Sequence, residues 1–253
     1  MKPQHNKNTS WEGVSKWYTD KTKDGGHYYH QQVILDALVP LLSLTDTSKI
    51  LDLGCGSGVL TNIIPTNASY TGLDNSPSLI QAAKQSNKNP HRTFVVADVT
   101  KKLPASSDYT HACFLLSLQN MKDPQSAIQN ATNALVLGGK LALVLNHPAF
   151  RIPRQSSWEV DTASKLQYRR INRYLSPLEV PITMHPGQTK SPLTWSYHYP
   201  ISAYANFLKQ AGCVIDTIEE WTSNKESVGK ASRMENRARD EFPMFLTFVA
   251  TKK

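Results

Sequence analysis

The chain has 253 residues, and 28 Lys and Arg against 20 Asp and Glu give it a formal net charge of +8 at pH 7. Hydrophobic residues make up 40% and charged residues 19% of the sequence, a composition that excludes a wholly disordered protein. No stretch approaches the roughly 18 apolar residues of a membrane helix, and the polar N-terminus lacks the apolar segment of a signal peptide, so we expect a soluble cytoplasmic protein with no membrane partner.

The first half of the chain alternates between predicted strands and helices. Residues 1–30 are polar with interspersed aromatic residues, and we interpret them as an N-terminal cap segment. Apolar residues at helical spacing predict a helix over 31–43, although Pro40 complicates its end. Further apolar runs predict strands at 48–54, 69–74, 93–99, 109–116 and 140–145, with helices at 59–64, from 76 onward and at 124–135.

The alternation stops after residue 146. Residues 147–194 are rich in proline and arginine without a clean period, and we interpret them as a lid inserted after strand five, on the acceptor side, with a short helix around 164–174. Beyond the lid we expect a strand at 194–200, a helix at 201–212 and two antiparallel strands at 213–221 and 242–252. The pattern predicts a doubly wound, mostly parallel α/β sheet within one domain spanning 31–253.

The three cysteines, Cys55, Cys113 and Cys213, are widely separated, and none belongs to a CxxC pair. A disulfide scaffold and a structural zinc site are therefore not expected. His27 and His30 have a spacing that could bind a metal, but no third ligand is evident. The sequence predicts no metal site.

The segment LDLGCGSG at 51–58 joins a predicted strand to a helix through Gly54, Gly56 and Gly58. Glycines let a backbone turn tightly and approach a ligand closely. The third glycine of the dinucleotide fingerprint GxGxxG would fall at Val59, and the Gly-Lys-Ser/Thr of a phosphate-binding loop is absent. Taken alone the turn is ambiguous, but these departures disfavour both of those ligands.

Three acidic residues accompany the ends of the first three predicted strands, namely Asp52, Asp74 and Asp98. The carboxyl ends of neighbouring parallel strands share one crevice, so these acids would converge on one elongated ligand. Asp74 could accept hydrogen bonds from a ribose diol, Asp98 with the Val99 amide could bind an adenine amino group, and Asp52 could meet an ammonium group. A ligand with adenine, ribose and an amino-acid ammonium is S-adenosylmethionine.

On these motifs, together with GLDNSP at 72–77 and LVLGGKL at 135–141, the sequence resembles the class I S-adenosylmethionine-dependent methyltransferases of the small-molecule type. The resemblance implies a Rossmann-like sheet of seven strands with the seventh antiparallel. It implies that Asp74 binds the ribose, Asp98 and Val99 hold the adenine, and the turn after strand four lies beneath the sulfonium. The predicted cofactor-binding residues are Tyr29, Asp52, Gly54, Cys55, Gly56, Gly58, Asp74, Asn75, Ser76, Asp98, Val99, Ser117, Leu118 and Gln119.

Residues near the predicted mouth of the sheet are candidates for the acceptor side. Methyl transfer from a sulfonium is an in-line displacement that requires alignment and exclusion of water. The candidates for catalytic contact are His30 before the first helix, His147 and Arg151 after strand five, and His198 in the strand at 194–200. Each could instead be a packing or solvated residue.

We expect an enzyme that methylates an O or N atom of a small metabolite, anionic or aromatic in character. The basic and aromatic residues of the 147–194 segment leave an RNA or protein methyltransferase as the alternative. Nucleic acid is not the favoured partner, since no appended RNA-binding domain is evident. A third interpretation is a non-catalytic cofactor-binding subunit, which the intact glycine turn, Asp74 and Asp98 disfavour.

Overall fold

The computed structural model describes residues 11–22, 26–183 and 193–253. Parts of the predicted N-terminal cap and of the predicted lid, at 1–10, 23–25 and 184–192, lie outside the described residues. No helix in the described ranges is long and apolar enough to cross a bilayer.

A seven-stranded sheet forms the centre of the fold. Its strand order is β10-β11-β5-β4-β1-β2-β3, and β11 runs antiparallel to both β5 and β10 while the other neighbours are parallel. The strands of the chain are β1 (Lys49–Leu53), β2 (Ser69–Asp74), β3 (Arg92–Val96), β4 (Tyr109–Leu115), β5 (Leu135–Asn146), β6 (Ser156–Asp161), β7 (Leu166–Ile171), β8 (Leu178–Thr183), β9 (Leu193–His198), β10 (Cys213–Trp221) and β11 (Phe245–Lys252). The predicted mostly parallel sheet with an antiparallel seventh strand is confirmed.

Helices cover both faces of this sheet, because its central strands are apolar on both sides. Phe114, Leu143 and Phe248, on β4, β5 and β11, are fully buried. The helices are α1 (Ser15–Thr22), α2 (Leu35–Leu42), α3 (Pro77–Ser86), α4 (Pro124–Ala134), α5 (Ile201–Gln210) and α6 (Ser232–Glu241).

The predicted starts of two helices are found where the capping signals place them. Ser76 caps α3, and its hydroxyl accepts from the Leu79 amide. Asp123 caps α4 in the same way, and a proline follows each cap at the first helical position.

The predicted helix around 164–174 is wrong. This part of the chain forms an antiparallel hairpin of β6 and β7, and β8 pairs with β9 in a second one. Along β7 the side chains alternate between half-buried Gln167 and Arg169 and exposed Tyr168 and Arg170, which is the period of a strand. The guanidinium of Arg169 stacks over the cross-strand Trp158 ring at 5.0 Å, a contact that favours the hairpin.

Other differences are local. Residues Val59–Ile63 form a 3₁₀ helix where a helix over 59–64 was predicted, and α6 was not predicted. Strand β3 ends at Val96, so Asp98 lies in the loop beyond it. Strand β5 begins at Leu135, earlier than predicted, because a bulge accommodates the glycines before Lys140.

Candidate active site

A cavity of about 900 Å³ opens at the carboxyl ends of the parallel strands. One wall is the N-terminal segment around α1, the floor is formed by the turns after β1 to β4, and the other wall comes from residues after β5 and from the two hairpins. Ligands of open α/β sheets bind at this edge. The volume suits small ligands, for which pockets measure roughly 300–1,000 Å³.

The glycine turn at 54–58 forms part of the floor. Gly54, Gly56 and Gly58 all have positive φ angles, of 74°, 54° and 86°, which side chains rarely adopt. A Cβ at Gly54 would lie 2.5 Å from the Ser117 Cβ, and one at Gly56 would lie 3.1 Å from the Tyr18 ring. The turn therefore presents bare backbone to the cavity, as close contact with a ligand requires.

Asp74 lies at the end of β2 and faces the same part of the cavity. One carboxylate oxygen accepts from the Gly56 amide at 2.9 Å, and the other accepts from the Ser76 amide at 2.9 Å. Burial raises the pKa of Asp74, while these backbone hydrogen bonds act to lower it. The carboxylate is thus fixed beside the glycine turn with lone pairs left for a ligand.

Asn75, Asp98 and Val99 extend this end of the cavity. Asp98 accepts from the amide and the hydroxyl of Thr100, which fix its carboxylate at the turn after β3. Tyr29, Ser117 and Gln119 also line the cavity. The structure therefore brings together most of the predicted cofactor-binding residues at one site.

Five predicted cofactor-binding residues lie behind the cavity wall instead of lining it: Asp52, Cys55, Gly58, Ser76 and Leu118. Asp52 is buried, with one oxygen accepting from the Tyr70 hydroxyl at 2.7 Å and the other without a partner among the described residues. Burial raises the pKa of Asp52 to about 7. The structure does not place these five against the cavity, and their contact with a ligand stays a prediction.

The N-terminal segment contributes lining residues that the sequence did not single out as a site. Trp11, Trp17, Tyr18 and Thr22 all face the cavity. The Thr22 hydroxyl lies 2.8 Å from that of Ser57, next to the glycine turn. The aromatic residues in this otherwise polar segment were the sequence signal that could have indicated a contact with the cavity.

Glu12 joins this segment to the body of the protein. Its carboxylate accepts from the Ser78 amide at 3.1 Å and from the hydroxyls of Ser76 and Ser78. These bonds lie at the first turn of α3, where a negative charge is favourable, and they lower the pKa of Glu12. The contact holds the start of the cap against the end of the sheet that carries Asp74.

Arginine residues line the opposite end of the cavity. Arg151, which follows β5, donates to the Asn146 side chain at 2.7 Å and stacks over Phe245. Arg169 reaches in from β7, and Arg154 lies on the connecting loop with a positive φ of 60°. Within the described residues, none of the three guanidinium groups has a carboxylate partner.

Two histidines predicted as catalytic do not reach the cavity. His147 is buried, with Nε2 2.7 Å from the Glu220 carboxylate and Nδ1 accepting from the Ala149 amide. His198 is also buried and bonds the Tyr174 carbonyl at 2.7 Å. Both are corrected to structural roles, because each ring is buried away from the cavity and its Nε2 binds a protein group.

His30 and Arg151 do line the cavity, as predicted positions for acceptor contact. Burial lowers the pKa of His30 to about 3, and its ring stacks on His27 at 3.8 Å. The imidazole is therefore neutral and a weak base at neutral pH.

Residues 50–139, which contain the glycine turn, Asp74 and Asp98, match the family described as a methyltransferase domain. Trans-aconitate 2-methyltransferase of Enterobacter sp. (strain 638) is 28% identical over 186 residues, which cover 71% of this chain and 62% of that enzyme. Malonyl-[acyl-carrier protein] O-methyltransferase of Hahella chejuensis is 28% identical over 59% of this chain and 53% of its own length. The chain thus spans less than two thirds of the length of these curated relatives.

A solved S-adenosylmethionine-dependent methyltransferase from Mesorhizobium loti superposes on this fold with a TM-score of 0.64 and 24% identity, covering 86% of this chain and 100% of that one. The likeness in fold and the domain match together confirm the resemblance to class I methyltransferases. S-adenosylmethionine is the cofactor of this type of domain, as the sequence predicted.

Proposed function

We propose that this chain, with its class I methyltransferase domain, transfers the methyl group of S-adenosylmethionine to an O or N atom of a small-molecule acceptor. The observation that carries the proposal is one cavity in which the glycine turn and Asp74 form one end and arginines without a carboxylate partner among the described residues form the other. Such an arrangement can hold a nucleoside-type cofactor and a second, polar molecule side by side.

The residues at the first end fit this cofactor. Gly54 and Gly56 line this end with backbone alone, and the fixed Asp74 carboxylate suits a ribose diol. Asp98 and the Val99 amide suit an adenine edge. The bound cofactor supplies an electrophilic methyl group on a sulfonium.

The chain's own residues would bind and orient the cofactor and the acceptor and shield them from water. Asp74 and the glycine turn would fix the nucleoside, and the turn containing Gln119 would border the transferred methyl group. Trp11, Trp17 and Tyr18 would exclude water from the cofactor end. Alignment and exclusion of water are the main contributions that an enzyme makes to a displacement of this type.

A small acceptor is favoured over a macromolecule by the site's walls. The N-terminal segment and the hairpins narrow the cavity. Arg169 could bind RNA if it lay on the surface, but it lines the cavity interior. The relatives named above act on trans-aconitate and on malonyl-acyl carrier protein, and the first of these is a small molecule. The three buried free thiols are typical of a reducing compartment, which supports a cytoplasmic location.

The test is titration calorimetry of the full chain with S-adenosylmethionine and S-adenosylhomocysteine, followed by an assay for S-adenosylhomocysteine formation with pools of metabolites or with bulk RNA. We expect cofactor binding and turnover with a metabolite pool. Absence of cofactor binding would refute the proposal, and turnover with RNA alone would replace the small acceptor by the macromolecular alternative.

A further inference from the structure

We propose that the acceptor is a carboxylate-bearing small molecule, bound by Arg151, Arg154 and the Thr194 hydroxyl, and that its carboxylate oxygen takes the methyl group without a general base. This inference rests on the proposed function and names its substrate class and its reaction type. The product is a methyl ester.

The first support is uncompensated positive charge. Arg151 and Arg169 lie close enough that the charge of Arg169 lowers the pKa of Arg151, to which burial contributes most. Neither has a carboxylate partner among the described residues, and Arg154, which is exposed where it lines the cavity, has none there either. Half-buried cations that repel one another are stabilised by an anion, and guanidinium groups match a carboxylate with paired hydrogen bonds.

Two of the buried polar atoms that line the cavity without a partner in the described chain belong to Thr194 and Gln119. Thr194 on β9 is 2% exposed with its hydroxyl unpaired, and Gln119 is 8% exposed with its amide oxygen unpaired. Buried polar groups are nearly always hydrogen-bonded, so both indicate a polar ligand. The Thr194 hydroxyl can donate to a carboxylate, whereas the Gln119 oxygen needs a donor, which an ionised carboxylate does not offer.

The third support is that the groups lining the cavity are poor bases or already engaged. His30 binds a proton weakly, since its pKa is about 3, and burial also lowers the pKa of His27. Asp123 caps α4, and Asp74 and Asp98 are hydrogen-bonded at the cofactor end. Burial raises the pKa of Tyr18, which keeps this phenol protonated. An alcohol acceptor needs a base, whereas a carboxylate is already ionised at neutral pH.

The step balances without proton transfer. A lone pair on the carboxylate oxygen forms the new C–O bond as the bond from methyl carbon to sulfur breaks, and that electron pair stays on sulfur. The sulfonium becomes a neutral thioether and the carboxylate a neutral ester. Opposite charges are consumed, which a cavity shielded from water favours.

A phosphorylated alcohol is the competing anion. The arginines could bind its phosphate, but its hydroxyl would still need a base to become a good nucleophile. Among the described lining residues, the two histidines are weak bases and the aspartates are already hydrogen-bonded, so the observations favour the carboxylate.

In the experiment, the full chain is incubated with S-adenosylmethionine labelled in the methyl group and with matched panels of candidate acceptors. These contain di- and tricarboxylates including trans-aconitate, the corresponding amides, sugar phosphates and simple amines. We expect label transfer to carboxylates only, and release of that label as volatile methanol in mild alkali. Alkali-stable label, or transfer to phosphates or amines alone, would overturn the inference while leaving methyl transfer intact.

Two outcomes separate this inference from the proposed function. Cofactor binding without ester formation from any carboxylate in the panel refutes the carboxylate and not the cofactor site. Absence of cofactor binding refutes the proposed function itself.

Variants locate the anion site. Arg151→Gln and Arg154→Gln should each raise the KM for the carboxylate roughly tenfold or more, since each removes charge-assisted hydrogen bonds, while cofactor affinity stays unchanged. Arg170→Gln is the matched control, because this exposed arginine on β7 points away from the cavity and pairs loosely with Glu159. Equal KM values in all three variants would reject the assignment.

Discussion

At the residue scale, one carboxylate organises the cofactor end. Asp74 bonds to the amides of Gly56 and Ser76, so it ties the glycine turn to the start of α3 as well as facing the cavity. Its position could be predicted from the sequence, because an acid at the end of the second strand of such a sheet has few other places to lie. Its two backbone contacts could not, since they depend on how the turn folds back.

Asp74→Ala should lower the affinity for S-adenosylmethionine by roughly tenfold or more, because hydrogen bonds to a charged group contribute about 1.5–3 kcal/mol. Calorimetric titration measures this change. Asp108→Ala is the control, since Asp108 is exposed and pairs with Lys49 far from the cavity. Wild-type affinity in the Asp74 variant would contradict the assignment.

Asp52 should make stability depend on pH. Its pKa is raised by burial from 3.8 to about 7 in the folded chain, so the folded state holds a proton that the unfolded state releases. The resulting stabilisation is complete below pH 3.8 and is lost as the pH rises through about 7. Wild type should therefore lose free energy of unfolding over this range relative to Asp52→Asn.

Urea denaturation of both proteins at pH 5 and pH 8 measures that difference. Comparison with the variant removes the contributions of other groups, including His30, whose lowered pKa acts in the opposite direction. A difference between the two proteins that is independent of pH would show that Asp52 is not the titrating group.

At the scale of elements, the strands of the main sheet could be predicted from the sequence, whereas the hairpins that form the acceptor wall of the cavity could not. Apolar runs that end in glycine or aspartate marked β1 and β2, and Ser76 and Asp123 marked helix starts. The polar stretch 164–174 has no such signals, because long cationic side chains fit a helix or a hairpin equally well. Pairing with β6, which lies just before this stretch, gives the hairpin.

The same limit explains the site residues that were missed or misplaced. His147 follows β5 at the cavity edge of the main sheet, but it bonds to Glu220. His198 ends β9 of the second hairpin, outside the main sheet, and bonds to the Tyr174 carbonyl. Helix α6 was missed because its sequence is polar nearly all round, with Ala238 as its buried residue.

The glycine turn gives a test of close approach. Gly56→Val should abolish measurable cofactor binding, because the new side chain would collide with the Tyr18 ring, which lines the cavity beside the turn. Gly212→Ala is the matched control, since Gly212 also has a positive φ but would have nothing within 4 Å of its Cβ. Both should lose roughly 1 kcal/mol or more of stability from the left-handed backbone. Only the first should lose calorimetric cofactor binding, and normal binding there would contradict the role of the turn.

The contact between Glu12 and α3 predicts how the cap is held. Glu12→Gln removes the charge at the first turn of α3 and should lower the hydrogen-exchange protection of residues 11–22 and speed the dissociation of S-adenosylmethionine. Glu226→Gln is a surface control outside the cap and the cavity. Unchanged exchange in the cap would show that aromatic packing alone holds it.

At the scale of the whole molecule, the two walls of the cavity come from separate stretches of chain. The cap precedes the sheet, whereas the arginines and hairpins lie between β5 and α5. We predict that the hairpins act as a lid, so that cofactor and acceptor together should increase hydrogen-exchange protection at 156–171 and 193–198. Equal protection with and without the ligands would argue for a preformed wall.

The placement of both hairpins between Asn146 and Ile201 has a consequence for how such enzymes diversify. Between these two residues the chain leaves the sheet once and returns once. Exchange of this whole segment would therefore replace the acceptor wall without breaking any strand of the seven-stranded sheet. Grafting the corresponding segment of another enzyme onto this scaffold is therefore a direct route to new acceptors with the nucleoside end left intact.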